Sequence, residues 1–279
     1  MNIKLALRLM ASVGLSVASL ASQAALFTQS SYNATTTFTD RNPATTMTLA
    51  YDGTNYYTSS GGSSSSPYAQ YDSAGNFIAN ASPNPGIDFR SVFTNSANDL
   101  LARGFANNQI FQQSSFGNFI SVATLSGGTL DAQSAVVINT SNTEYLAHIG
   151  GLVSRWDTIG NFLGSVALTG YVDSGYPSDR GLATVGNELL TYFGGVLTAW
   201  DSGTGSNLGS TILNGAGTSF DSNFSYSYAN GQFWVVDTAG GTWRGYDVGL
   251  SANQVPEPST LVLLGLGLLG LGALQKRKA

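Results

Sequence analysis

The chain has 279 residues, of which 42% are hydrophobic, 11% aromatic and 10% charged, with 34 glycines and no cysteine. Such a length and apolar content suit one large all-β domain or two small ones and exclude wholesale disorder. The missing Cys excludes a disulfide framework, a thiolate metal site and a cysteine nucleophile. The formal charge of −5 conceals a stronger bias, because residues 25–254 hold six basic side chains, all Arg, against fifteen Asp and Glu, a net of −9. Phosphate neutralisation needs clustered Lys and Arg, so no nucleic-acid partner is expected.

Residues 1–24 have the layout of a secretory signal peptide: Lys4 and Arg8, an apolar run from Leu9 to about Leu20, then small residues, with Ser22 and Ala24 placed for a cut before Ala25. Signal peptidase is the expected processing enzyme, and the mature chain is expected outside the cytoplasm.

The body, residues 25–250, repeats itself. Tyr71-Asp72, Trp156-Asp157, Trp200-Asp201 and Tyr246-Asp247 are aromatic-Asp pairs, and Ser115-Phe116-Gly117-Asn118 is a degenerate copy. Gly75, Gly117, Gly160 and Gly205, within or after these pairs, stand 42, 43 and 45 residues apart. A period near 44 is the size of one propeller blade. Within each period four β-prone runs are separated by Asn, Gly and Asp turns, which predicts one antiparallel meander. The second runs are the clearest: Tyr56 to Thr58, Leu100 to Ala102, Tyr145 to Ile149, Leu189 to Phe193 and Gln232 to Val236. Five meanders fill residues 46–249, and the fifth lacks a fourth strand. Residues 26–39, with Thr35 to Thr39 as a β-prone run, are expected to supply it, closing the ring and leaving no open sheet edge. The expected fold is therefore all-β, a five-bladed β-propeller, with a β-sandwich or stacked β-repeat as the alternative. The copies resemble WD-type propeller repeats loosely, through the aromatic-Asp pair alone, since no Gly-His partner is present. Ser59 to Ser66 reads as a flexible hairpin tip.

Residues 251–279 form a separate tail. Val255, Pro256, Glu257, Pro258, Ser259 and Thr260 precede an uncharged Leu/Gly-rich run, giving a transmembrane helix over 259–274, and Lys276, Arg277 and Lys278 follow it. The two prolines fix φ and lack N–H groups, so the motif stays extended and accessible. In order and composition these three parts resemble the PEP-CTERM sorting signal of Gram-negative bacteria. The resemblance implies an exported precursor held transiently in the inner membrane and processed by an exosortase, then displayed at the cell surface or released. It further implies the company of exopolysaccharide and biofilm matrix.

Catalytic chemistry is hard to assemble from the body. His148 is the one histidine, sits in an apolar strand and lacks a Gly-x-Ser-x-Gly partner, so a structural role is expected. One His and no Cys make a transition-metal site unexpected, and the Asp-containing turns lack EF-hand spacing, so no cofactor or metal is expected. Asp88, Asp173, Asp179 and Asp221 lie in inter-blade segments, where no pair can be placed for glycoside hydrolysis from sequence. The connector carrying Tyr171, Asp173, Tyr176, Asp179 and Arg180 is the candidate ligand face, with aromatic rings to stack on sugars and carboxylates to accept hydroxyl protons. The expected function is a non-catalytic binding or adhesion module. A structural coat protein, or a carbohydrate-active lyase or hydrolase, are the alternatives.

Overall fold

The computed structural model describes residues 26–250 apart from 174, 177, 238 and 239. The expected signal helix, transmembrane helix and sorting motif lie outside the described residues. Among the described residues no helix is long and apolar enough to cross a membrane.

The chain opens with two short strands, β1 (Ser31–Asn33) and β2 (Thr36–Thr39). Four meanders follow. Blade one is β3 (Thr46–Tyr51), β4 (Tyr56–Ser60), β5 (Tyr68–Tyr71) and β6 (Phe77–Ala81). Blade two is β7 (Phe89–Thr94), β8 (Leu100–Gly104), β9 (Gln109–Ser115) and β10 (Asn118–Thr124). Blade three is β11 (Val136–Ile138), β12 (Glu144–Ile149), β13 (Leu152–Asp157) and β14 (Phe162–Ala167). Blade four is β15 (Ala183–Val185), β16 (Glu188–Phe193), β17 (Val196–Asp201) and β18 (Asn207–Asn214). Blade five has three strands from the end of the chain, β19 (Tyr226–Ala229), β20 (Gln232–Asp237) and β21 (Thr242–Tyr246), and takes its fourth from the beginning. There β2 lies antiparallel to β21, with Phe38 opposite Trp243. The expected closure by a strand from residues 26–39 therefore holds, supplied by Thr36–Thr39, and five blades form a ring.

Two features were not anticipated. The segment before β2 adds a fifth strand to blade four, with β1 parallel to β18. Closure also does not remove the sheet edges: β1, β2, β6, β10 and β14 are each outermost and ladder on one side only, apart from single bridges at Asn84–Asn118 and Ser126–Asn161. Closing a ring joins blades to one another, whereas the outer edge belongs to each blade separately.

The aromatic-Asp pair has a physical division of labour. Each Asp caps the turn after the third strand: Asp157 Oδ1 accepts from the backbone N–H of Ile159 (3.1 Å) and Asn161 (2.8 Å), and Oδ2 accepts from Asn161 Nδ2 at 2.9 Å. Asp72 makes the same set with Ala74 and Asn76. Hydrogen bonds from the Asn side chain, seconded by backbone N–H groups, hold both carboxyls below the usual carboxylate range. Each aromatic ring instead fills the seam with the neighbouring blade, as Trp156 does between blades two and three and Trp200 between blades three and four.

The recurring Gly sits where the outer strand of the preceding blade arrives. A Cβ on Gly75, Gly117, Gly160 or Gly205 would collide with Phe38, Ala81, the Thr124 carbonyl or the Ala167 carbonyl respectively, and all four residues have positive φ. The period of about 44 residues is thus the spacing of blade-to-blade contacts.

Five buried apolar clusters fill the five seams. Hydroxyls on the innermost strands stitch four of them: Thr48 Oγ1 accepts from the Val92 N–H at 2.6 Å, and Ser91 Oγ accepts from Val136 N–H at 3.1 Å. Thr184 Oγ1 donates to the Ile138 carbonyl at 2.8 Å, and Ser227 Oγ accepts from the Leu49 N–H at 2.9 Å. The fifth, between blades four and five, is apolar and aromatic, with Tyr192 edge-on to Tyr226 at 5.8 Å. Buried Asp40 reinforces the closure seam by accepting from Trp243 Nε1 (2.9 Å), Tyr71 Oη (3.0 Å) and Thr46 Oγ1 (3.1 Å).

The serine-rich segment also differs from expectation. Ser59 and Ser60 are buried in β4, and the loop beyond them is tied down by Gly61 N–H to the Thr45 carbonyl, Gly62 N–H to Asp88, and Ser66 Oγ to the Gly61 carbonyl. Short hydroxyl side chains suit this position because they bond to nearby backbone.

Candidate functional site: the cleft between blades three and four

The seam between blades three and four is the thinnest. Its cluster holds six buried side chains, Leu146, Val153, Leu168, Leu182, Leu189 and Trp200, against nine to fifteen in the others. One step of the repeat also differs at this seam. In blade three Phe162 pairs with Trp156 across the third and fourth strands, ring centroids 6.0 Å apart, and in blade one Phe77 pairs with Tyr71 in the same way at 5.9 Å. In blade four the residue opposite Trp200 is Asn207. A large ring is missing, and a polar amide stands in its place.

The connectors respond to that difference. Entering blade three, the carbonyls of Ser126 and Gly127 accept from Trp156 Nε1 at 3.2 and 3.1 Å, and Gly128 lies so close to Phe162 and Trp156 that a Cβ would overlap them. Entering blade four, Thr169 N–H bonds to the Gly205 carbonyl as Ser126 N–H does to Gly160. Beyond that point Tyr171 of the connector packs against Trp200, whose Nε1 donates within its own blade to Thr191 Oγ1 at 2.9 Å.

The result is a cleft of about 380 Å³. Tyr171 and Trp200 form its aromatic wall, centroids 6.0 Å apart. Thr191, Thr198 and Ser210 lie in one cross-strand row on its floor, and Thr198 and Ser210 share a hydrogen bond of 2.9 Å. Asn207 accepts from Gly209 N–H through Oδ1 at 2.8 Å. Phe193, Val196 and Val172, all exposed, supply an apolar rim. No lining side chain is charged. The arrangement can set an apolar ring face against Tyr171 and exchange hydrogen bonds with hydroxyls, and burial raises the pKa of Tyr192, whose hydroxyl donates to the Gly217 carbonyl at 2.5 Å.

The connector residues singled out from the sequence divide among four places. Tyr171 lines the cleft and lies edge-on to His148, centroids 4.9 Å apart, in a space that exists because Gly151 has no side chain. Asp173 is exposed beside Gly150 and accepts from Gly175 N–H at 2.8 Å. Tyr176 reaches the next connector, where its ring packs at 5.4 Å from Phe220, both rings about half exposed. Asp179 and Arg180 turn inward on a short 3-10 turn, Ser178–Arg180, paired to each other, and Arg180 Nε also approaches Asp131 at 3.3 Å. The five do not converge on one point.

His148 is wholly buried, and its Nε2 accepts from Gly151 N–H at 2.8 Å. Burial lowers its pKa to about 4, Arg180 adds to the shift, and the Gly181 backbone and Asp173 oppose it. It is a neutral hydrogen-bond acceptor that fixes the Gly150-Gly151 turn under Tyr171. Among the described residues no three His, Asp or Glu side chains gather closely enough to hold a metal ion.

Thr191, Thr198, Asn207 and Ser210 escaped the sequence reading. The signal that could have found them is visible in the aligned copies: two residues after the repeated Gly stand Phe77, Phe119 and Phe162, and then Asn207.

Residues 254–278 match the PEP-CTERM protein-sorting motif. No curated protein matches the chain. Among solved structures, the glutaminyl cyclase of Myxococcus xanthus is similar, with a TM-score of 0.55 at 12% identity over 77% of this chain and 96% of that one. At that identity the likeness is one of fold.

Proposed function

We propose that this exported chain, carrying a PEP-CTERM sorting motif and therefore a substrate for exosortase processing, delivers to the cell surface a non-catalytic propeller that binds matrix polysaccharide made by its own cell. The cleft on blade four supports this reading most directly: Tyr171, backed by buried Trp200, faces a row of hydroxyls on a rigid ring. Sugars present an apolar ring face and a hydroxyl edge, which is the chemistry that such walls complement. The acidic balance of the body suits solubility outside the cell. The lining holds no pair of carboxylates and no histidine to act as acid and base.

The test is retention of the mature protein on immobilised polysaccharide from the producing cells, with Tyr171→Ala as the weakened variant. No retention of a normally displayed wild type would overturn binding and favour the coat-protein alternative. Turnover of that polysaccharide would overturn the non-catalytic part. Mass spectrometry of the exported protein tests the sorting, with Lys276 to Lys278 expected to be absent.

A further inference from the structure

We infer that the blade-four cleft selects an uncharged sugar unit bearing a methyl group, as an acetamido or 6-deoxy substituent. This rests on the polysaccharide-binding reading and specifies its ligand. A volume of about 380 Å³ is at the small end of ligand sites and suits one or two pyranose rings. Three observations choose the chemistry.

The first is charge. The lining is neutral throughout, and the body around it carries a net −9, so an anionic uronate would enter against the field and find no Arg or Lys to pair with. The second is the arrangement of hydrogen-bonding groups. Thr191 Oγ1 accepts from Trp200, which leaves its own O–H free to donate, and the Thr198–Ser210 pair uses only part of its capacity. Asn207 keeps its amide NH₂ for a ligand, since Oδ1 is the atom bonded to Gly209. These groups suit hydroxyls and an amide carbonyl. The third is the rim: Phe193 is 50% and Val196 40% exposed, next to Val172 and Ile212, and this apolar strip beside a polar floor is where a methyl group gains most from burial.

The departure of Asn207 from the Phe of the other copies supplies the decisive variant. Asn207→Phe restores the ring that fills this space in blade three and is expected to close the cleft while keeping or raising the melting temperature. Binding of oligomers of N-acetylglucosamine, fucose, glucose and galacturonate is followed by intrinsic tryptophan fluorescence and by calorimetry on the mature protein. The acetamido and 6-deoxy oligomers are expected to bind roughly tenfold more tightly than glucose oligomers, with little change between about 20 and 500 mM salt. Thr198→Val is expected to weaken binding roughly five- to tenfold, and Asn207→Phe to abolish it. Preference for galacturonate, strong salt dependence, or undiminished binding by Asn207→Phe would overturn the inference. Retention on the native polysaccharide separates the two failures: an Asn207→Phe protein still retained there overturns this site alone, and a wild type not retained overturns the broader reading.

Discussion

Gly160 is under two constraints at once. Its φ of +97° lies where L side chains are strained, and a Cβ would overlap the Thr124 carbonyl of the neighbouring blade. Gly194, with φ of +56° and open space around it, carries only the first. Gly194→Ala is therefore expected to cost about 1 kcal/mol, the ordinary strain of a left-handed Ala, and Gly160→Ala at least about 3 kcal/mol because a seam must also part. Urea denaturation of the two variants checks the difference. His148 gives a second residue-scale prediction. Its folded pKa of about 4 lies below the ordinary 6.5, so the unfolded chain takes up a proton first as pH falls. The stabilising contribution is complete above pH 6.5 and is lost progressively down to about pH 4, amounting to about 3 kcal/mol. Unfolding midpoints of wild type and His148→Gln measured from neutral pH to 4.5 should converge as pH falls, and parallel curves would refute the assignment.

At the scale of elements, the inner strands act as pairs across seams rather than as members of separate sheets. Thr48→Val keeps the shape but leaves the Val92 N–H without its acceptor in a buried position, which should cost about 1–3 kcal/mol. The same change at exposed Thr54, whose side chain caps nothing, should be nearly neutral by thermal melt. The strands themselves were legible in the sequence because alternation and Asn/Gly/Asp turns are local properties. What escaped was β1, three residues that pair in parallel with a strand about 180 residues away, since nothing local distinguishes such a segment from a loop. The cleft escaped for a related reason: the Asn207 departure stands in the aligned repeats, but its meaning depends on Trp200 facing it and on the course of the connector that carries Tyr171.

For the whole molecule, closure is the organising event. With β2 paired to β21, and Phe27 and Tyr32 packed into the same cluster as Val248 and Leu250, both ends of the described chain lie in one core. Removing residues 26–39 should therefore abolish a single cooperative unfolding transition, because it strips β1 and β2, exposes Trp243 and Trp234 and deletes the ring that Phe38 places against Tyr71. Calorimetry would show one sharp transition in the intact protein and a broad, low-enthalpy one in the truncated form. Without Cys, this closure and the stitched seams are what hold the domain outside the cell.

The sequence by itself determined the sorting motif, the acidic Lys-free body, the period of about 44 residues and the identity of the segment that closes the ring. These are properties of composition, order and spacing, and the chain displays them directly. Only the tertiary structure decided why the repeated Gly is required, where Asp179 and Arg180 turn, and that one seam opens into a cleft. Each of these depends on which surfaces of adjacent blades meet, and residues brought together by a ring closure carry no local mark of their future neighbours.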